Sequence, residues 1–332
     1  KGLLASELAV MVEIKRRNIK LNRDIILVAE ADEEEGATGI QWLLQHAPAK
    51  IDAEFALDEG GSILESKDGT KIFQIQTNHK VQVRILLSAR GTAGHGAIPR
   101  EDNPIVRLSH AVVKLTDAEQ PARVGMTMRR YLRELSKLPD YAWLVPILPR
   151  LDNPATIQAA ANQIEARDPE LDSLLRTTIS PVVVRAQGKN NVIPSAAEAQ
   201  VDVRRLPGES REDVIERIRQ IVNDPAIDVL VAPGNQAPGA EASPQNTALY
   251  RAMERSINRA YPHDVVIPAL GRGATDGAYL RAHGTPAYGV PIFIREPEGN
   301  RAHAGDERIS PKNLTDGASL LWQIVVETGS AN

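Results

Sequence analysis

Asp24-Ile25-Ile26-Leu27-Val28-Ala29-Glu30-Ala31-Asp32-Glu33-Glu34-Glu35-Gly36 is the stretch that decides the fold. Its first six residues are aliphatic and β-branched enough for a buried strand. They deliver the chain into four consecutive carboxylates, Asp32–Glu35. A helical pattern, Ile40-Gln41-Trp42-Leu43-Leu44, follows at once. Like charges a few ångströms apart raise one another's pKa, so crowding acids at a strand end is costly. A divalent cation removes that cost. A lone acid there would simply favour the helix macrodipole; four in a row point to a site.

Working outward, the first segment alternates helix and strand. Leu3–Arg17 has helical apolar spacing, Asp24–Ala29 reads as a strand, Gly39–His46 as a helix and Glu54–Leu57 as a short strand. That order favours a sheet covered by helices. From Lys80 the pattern changes. Lys80–Ser88 alternates like a half-exposed strand, and a glycine-rich loop, 91–99, and a helix near Pro104–Leu115 follow. Strands at Ser180–Arg185 and Ala197–Arg204, a helix at Arg211–Val222 and a strand at Ile227–Val231 complete a small α+β unit. Arg123–Thr178 is a long helical insertion within it. Pro233–Gly239 reads as a linker. Beyond it come helix Thr247–Ala260, strand Val265–Pro268, helix Asp276–His283, strand Ala287–Val290 and helix Lys312–Thr328. The expected fold class is α/β: a catalytic domain with a mixed sheet (1–78 and 235–332), interrupted by an α+β domain (79–234).

Composition narrows the chemistry. The 332 residues suffice for two domains. A net charge of −4 gives no electrostatic footprint for nucleic acid or anionic membrane. Only 4% of residues are aromatic, which argues against base stacking. No apolar run reaches membrane-span length. With no cysteine, disulfides, thiolate zinc sites and cysteine nucleophiles are excluded. Any metal falls to His, Asp and Glu, which suits zinc, manganese or cobalt. The chain starts at Lys1 without methionine, as a piece or processed form would, so localisation is left open.

Two acidic pairs stand out. Glu33 and Glu34 leave one strand; Asp58 and Glu59 leave another and precede Gly60-Gly61. In an α/β sheet, carboxyl ends of parallel strands meet on one ligand-binding rim. The alternative for the second pair is an acidic turn. His303 lies in a polar loop and His95 in a glycine-flanked one; loop histidines are more often structural than catalytic. His46, His79, His110, His263 and His283 carry no such pattern. Gly271–Gly277 misses the dinucleotide glycine spacing by one place and reads as a helix N-terminus, with Thr275 or Asp276 as cap. A nucleotide-binding α/β enzyme is the rival reading it leaves.

Six segments in order, Asp32-Glu33-Glu34-Glu35-Gly36, Leu57-Asp58-Glu59-Gly60-Gly61, Gly94-His95-Gly96-Ala97-Ile98-Pro99, Asn191-Val192-Ile193-Pro194, Gly273-Ala274-Thr275-Asp276 and His303-Ala304-Gly305-Asp306-Glu307, resemble the M20 metallopeptidases. The long insertion and the Leu-Asp-Glu-Gly-Gly form are most similar to the branch of Gly-X carboxypeptidases and N-acyl-amino-acid hydrolases. The resemblance implies two divalent ions, most often zinc, and hydrolysis of an amide or peptide bond next to a free carboxylate. It implies Glu33 as general base and Glu34, Glu59 and His303 as metal ligands, with Asp58 the lesser choice against Glu59. It further implies that His95 reaches across a dimer into the partner's site to stabilise the oxyanion, with Asn191 and Thr275 at the substrate. The inserted domain would be a ferredoxin-like lid and dimerisation domain, making a homodimer that acts on a small peptide or N-acyl amino acid. Two of the family's ligands, a histidine and a bridging aspartate, have no match here. The implied metal site is therefore incomplete and this chain by itself inactive. A non-catalytic dimeric homologue on the same fold is the alternative.

Overall fold

The computed structural model describes residues 1–186, 188–232, 237–296, 299 and 301–331. In chain order the helices are α1 (Gly2–Arg16), α2 (Thr38–His46), α3 (Pro104–Asp117), α4 (Met126–Leu135), α5 (Leu148–Leu151), α6 (Ile157–Glu165), α7 (Pro169–Asp172), α8 (Arg211–Val222), α9 (Ala248–Ala260), α10 (Gly277–Ala282) and α11 (Pro311–Ser330). The strands are β1 (Ala56–Asp58), β2 (Ser62–Glu65), β3 (Lys71–His79), β4 (Val81–Arg90), β5 (Gly94–His95), β6 (Thr178–Ala186), β7 (Val192–Ile193), β8 (Ala196–Arg205), β9 (Ile227–Val231), β10 (Val265–Gly271) and β11 (Ala287–Gly289). They form two compact units: Lys1–His79 with Val124–Asp152 and Pro238–Asn332, and Lys80–Arg123 with Asn153–Ala237.

The first unit holds a mixed five-stranded sheet, ordered β1-β11-β3-β10, with β2 also paired to β3. β1 runs parallel to β11 and β10 parallel to β3, whereas β2 and β11 meet β3 antiparallel. β3 is buried along almost its whole length, as a strand covered on both faces must be. Phe73 and Ile75 on it pack with Tyr250, Met253 and Ile257 of α9, Tyr288 of β11, and Leu320, Leu321 and Ile324 of α11. Residues 62–79 carry two strands that the sequence reading does not assign. Their signal is the alternation in Ile72-Phe73-Gln74-Ile75-Gln76, in which buried glutamines occupy the places expected for exposed residues.

Asp24–Ala29 departs from the expected strand. It belongs to no ladder, and residues 24–31 make no backbone hydrogen bond among the described residues. It keeps a strand's alternating exposure: Ile25 and Leu27 are half-buried, while Ile26 and Val28 are exposed. The residues are strand formers; a ladder partner is what they lack.

Residues 124–152 also depart from the expected 79–234 domain and belong to the first unit. Helix α4 buries Met128, Tyr131, Leu132 and Leu135 and packs on β10. The Tyr131 hydroxyl accepts from Gln74 Nε2 at 2.9 Å, and Arg130 donates to Glu254 at 2.7 Å. A long amphipathic insertion goes wherever an apolar surface receives it, and that destination is not a sequence property. Of the Pro233–Gly239 linker, residues 233–236, on which the second boundary falls, lie outside the described residues.

The second unit has an antiparallel sheet ordered β6-β8-β4-β9. Val83, Ile85, Leu87 and Ala89 of β4 and Ala197, Ala199, Val201 and Val203 of β8 pack on Leu108, Ala111 and Leu115 of α3 and Val214, Ile218 and Val222 of α8. Ser210 caps α8, accepting from Asp213 N at 3.0 Å. Ser210→Ala is expected to cost about 1 kcal/mol. Urea unfolding of the two proteins checks it, and equal midpoints would remove the cap's contribution.

Candidate active site

The carboxylates sit in a tight turn built by Asp32. Its carbonyl accepts from Gly36 N at 3.1 Å and Ala37 N at 2.7 Å, and its carboxylate accepts from the Thr38 hydroxyl. Asp32 has φ +76° and Ala37 φ +52°, a left-handed conformation that costs non-glycine residues energy. This strained turn starts α2 and aims Glu33 and Glu34 differently: Glu33 is half-buried and Glu34 exposed.

Asp58 and Glu59 at the end of β1 separate into two roles. Asp58 Oδ2 accepts from the Thr275 hydroxyl at 2.6 Å and from Gly277 N at 2.6 Å, and Oδ1 accepts from Glu59 N at 2.8 Å. Its lone pairs are engaged, whereas the Glu59 side chain accepts no hydrogen bond among the described residues. A side chain at Gly277 would put its Cβ 2.6 Å from Asp58 Oδ2. A residue at Gly61 would meet the Val290 backbone at 2.3 Å. Both glycines are therefore needed for close approach.

The structure brings Glu30, Glu33, Glu34, Asp58, Glu59 and Asp276 around one cavity of about 710 Å³ within the first unit. Burial, and then the charges of Glu59, Glu34, Asp58 and Glu30, push the Glu33 carboxyl up to about 7. Burial and then Asp58 and Glu34 hold Glu59 up as well. Asp276 is raised to about 9 by burial and by its hydrogen bond with Glu30. The Glu30–Asp276 pair is missed by the sequence reading, which expects Thr275 or Asp276 as helix cap. Asp276 makes no side-chain capping bond, and the N–H of Gly277 is taken by Asp58 from another strand. The expected anion-facing helix N-terminus is thus already occupied.

His303, at φ +64°, lies with Nδ1 3.5 Å from Glu34 Oε1. The donor types suit a divalent cation: hard carboxylates and an imidazole, with negative charge in excess of partners. Their positions do not make a cage, since no three His, Asp or Glu residues converge as a metal set among the described residues.

His95 and Asn191 belong to the second unit, where the short β5–β7 ladder pairs His95 with Val192. Gly96 N donates to Asn191 O at 2.7 Å, so these two distant positions become neighbours. Ala97 N donates to His95 Nδ1 at 3.1 Å, which leaves the proton of a neutral ring on Nε2. Thr275 is buried, and its hydroxyl is committed to Asp58 rather than presented to a substrate.

A raised carboxyl folds with a proton that the unfolded chain releases. Between the unfolded values, 3.8 for Asp276 and 4.5 for Glu33, and the folded values of about 9 and about 7, stability falls as pH rises. The melting temperature is therefore expected to drop from pH 5 to pH 8, and the drop to shrink in Glu33→Gln/Asp276→Asn. Circular dichroism melts across that range check it; a Tm that rises with pH in the parent protein refutes it.

The first unit is an α/β fold whose carboxylates gather at strand and turn ends around one cavity. The chain belongs to peptidase family M20/M25/M40, whose model matches residues 1–327. It is 24% identical over 338 residues to the Homo sapiens N-fatty-acyl-amino acid synthase/hydrolase PM20D1, covering 98% of this chain and 66% of that protein. It is 25% identical to the probable carboxypeptidase S-like 2 of Dictyostelium discoideum, covering 99% of this chain and 64% of that one. The chain thus spans about two thirds of the length of these relatives. Among solved structures, the M20 family metallo-carboxypeptidase Sso-CP2 from Sulfolobus solfataricus shares the fold, with a TM-score of 0.66 and 19% identity over 99% of this chain and 75% of that one. The family implies divalent metal ions.

Proposed function

We propose that this protein hydrolyses an amide or peptide bond next to a free carboxylate, with Glu33 as general base. The observation that carries the reading is the Glu33 carboxyl, half-buried on the cavity that Glu34 and Glu59 also line, a position from which a base can take a proton from water and return it. Glu34, Glu59 and His303 are the residues that would hold metal, zinc first and cobalt or manganese next. The engagement of Asp58 by Thr275 and Gly277 supports Glu59 over Asp58. A bound divalent ion would supply Lewis acidity and ease deprotonation of water. Glu33 accepts the water proton and returns it to the leaving amine.

On this reading His95, with its proton on Nε2, donates across the homodimer to the developing oxyanion in the partner's site, and Asn191 beside it contacts substrate. Thr275 acts through Asp58. The second unit serves as lid and dimerisation domain of a homodimer. Its order β4-α3-β6-β8-α8-β9 supports a ferredoxin-like assignment. Substrates are small peptides or N-acyl amino acids, as the relatives' names support. The test is hydrolysis of N-acyl amino acids and dipeptides by the zinc-supplemented protein in a form that also carries the histidine and aspartate ligands unmatched in these residues, against metal-free samples. Metal-dependent release of the free amino acid is expected. Absence of bound zinc, with no rescue of turnover by zinc or cobalt, would favour a non-catalytic homologue.

A further inference from the structure

His95 sits in a loop that apolar packing does not hold. Between β4 and α3, every residue from Gly91 to Arg100 is half-buried or exposed. A segment with few buried contacts opens locally at little cost, so hydrogen bonds must set the place of the ring. Gly91 N donates to Ser195 O at 3.0 Å, Gly96 N to Asn191 O at 2.7 Å and Ile98 N to His95 O at 2.9 Å. None of these three joins the start of the loop to its return at α3.

Asp102 makes that join. One carboxylate oxygen accepts from Thr92 N at 2.8 Å, and the other accepts from Arg100 Nε at 3.0 Å. Bonds to an ionised acceptor are about twice as strong as neutral ones. The bonds from Thr92, and then the Arg100 guanidinium, hold the Asp102 carboxyl down to about 2, so it is a carboxylate at neutral pH. The Asp102 carbonyl comes so close to Gly91 that any Cβ there would overlap it. Held by Asp102, the Arg100 side chain lies over Gly94: a Cβ on that glycine would be 3.1 Å from Arg100 Cδ. Asp102 thus fixes the chain before His95, at Thr92 and Gly94, and after it, at Arg100. Between these points Ala97 N donates to His95 Nδ1 at 3.1 Å, the bond that keeps the proton of a neutral ring on Nε2.

We infer that Asp102 is a positioning residue for His95: by closing the loop of residues 92–102 it holds Ala97 N on Nδ1 and keeps the Nε2 proton available for donation. The catalytic consequence rests on the proposed role of His95 at the oxyanion; the hold on the ring does not. The adjacent Asn103 has a different task. Its side chain accepts from Ile105 N at 3.0 Å and caps α3. Asn103→Ala therefore weakens the same stretch of chain without removing a bond to the His95 loop.

Asp102→Ala, Asp102→Asn and Asn103→Ala are compared with the parent by amide hydrogen exchange at Ala97 and by the nitrogen-15 resonances of the His95 ring, in alkaline buffer where a histidine ring is neutral. In Asp102→Ala, exchange at Ala97 is expected to speed up by about fivefold or more, and the two ring resonances to converge as the second tautomer becomes populated. Asp102→Asn keeps a carbonyl for Thr92 N, so both changes should be smaller. Asn103→Ala should lower the urea midpoint and show neither change. In the metal-loaded form that also carries the unmatched histidine and aspartate ligands, Asp102→Ala is expected to lose about tenfold or more in kcat with KM within about twofold of the parent, whereas Asn103→Ala keeps the parent's kcat. Unchanged exchange and ring resonances in Asp102→Ala overturn the inference, as do equal changes in Asn103→Ala. A released ring with undiminished kcat overturns it too. A released ring in Asp102→Ala when the metal-loaded parent shows no turnover would support the hold of Asp102 on His95 and count against hydrolysis instead.

Discussion

Glu33→Gln is expected to lower turnover by about 10²–10⁴-fold in the metal-loaded protein, with metal content unchanged. Glutamine keeps the size and reach of the side chain but cannot accept the water proton. Glu33 is the member of the acidic turn whose carboxyl is enclosed and raised to about 7. Glu34 is exposed and approaches His303 instead. Removing the base should therefore act on kcat and spare the residues assigned to metal. Steady-state rates on an N-acyl amino acid, with metal measured in the same sample, make the comparison. Turnover within threefold of the parent at full metal content would reject Glu33 as base. A parallel loss of metal would instead make it a ligand.

Asp58→Ala should destabilise the first unit by about 2–4 kcal/mol, because hydrogen bonds to a charged acceptor are stronger than neutral ones and their orphaned donors cost free energy. Three donors lose their partner: the Thr275 hydroxyl, Gly277 N and Glu59 N. Asp58→Asn retains a carbonyl acceptor and should cost less than Asp58→Ala. Both variants also remove a negative charge that helps to raise Glu33, so the pH at which Glu33 titrates should fall. Denaturant unfolding measures the first effect, and titration of the Glu33 carboxyl in the metal-free protein the second. A change under about 0.5 kcal/mol in Asp58→Ala, the range of ordinary surface substitutions, would show that the contact is not structural.

Much of the fold is legible along the chain because helices and half-exposed strands write their period into the sequence. α8 and β9 fall at Arg211–Val222 and Ile227–Val231, as periodicity predicts. The central strand β3 is harder to see, because both of its faces are buried and Gln74 and Gln76 sit among its apolar residues. The candidate site is legible as motifs only. Glu33, Glu34, Glu59 and His303 can be picked out by order and residue type. The pairing of His95 with Val192 beside Asn191 cannot, since a two-residue ladder across nearly a hundred positions has no local signal.

The sequence by itself determines which residue types are available, where most helices and strands lie, and the family to which their order belongs. Tertiary structure decides what each acid does. Asp58 and Glu59 are adjacent carboxylates with the same charge, yet one is committed to Thr275 and Gly277 while the other stays open. Asp24–Ala29 has the composition of a strand and remains unpaired, because a ladder needs a neighbour as well as a propensity. Protonation follows the same rule. Glu33 is raised to about 7 by burial, by Glu59 and Asp58 from another strand and by its sequence neighbours Glu34 and Glu30, and only folding supplies the burial and the cross-strand charges.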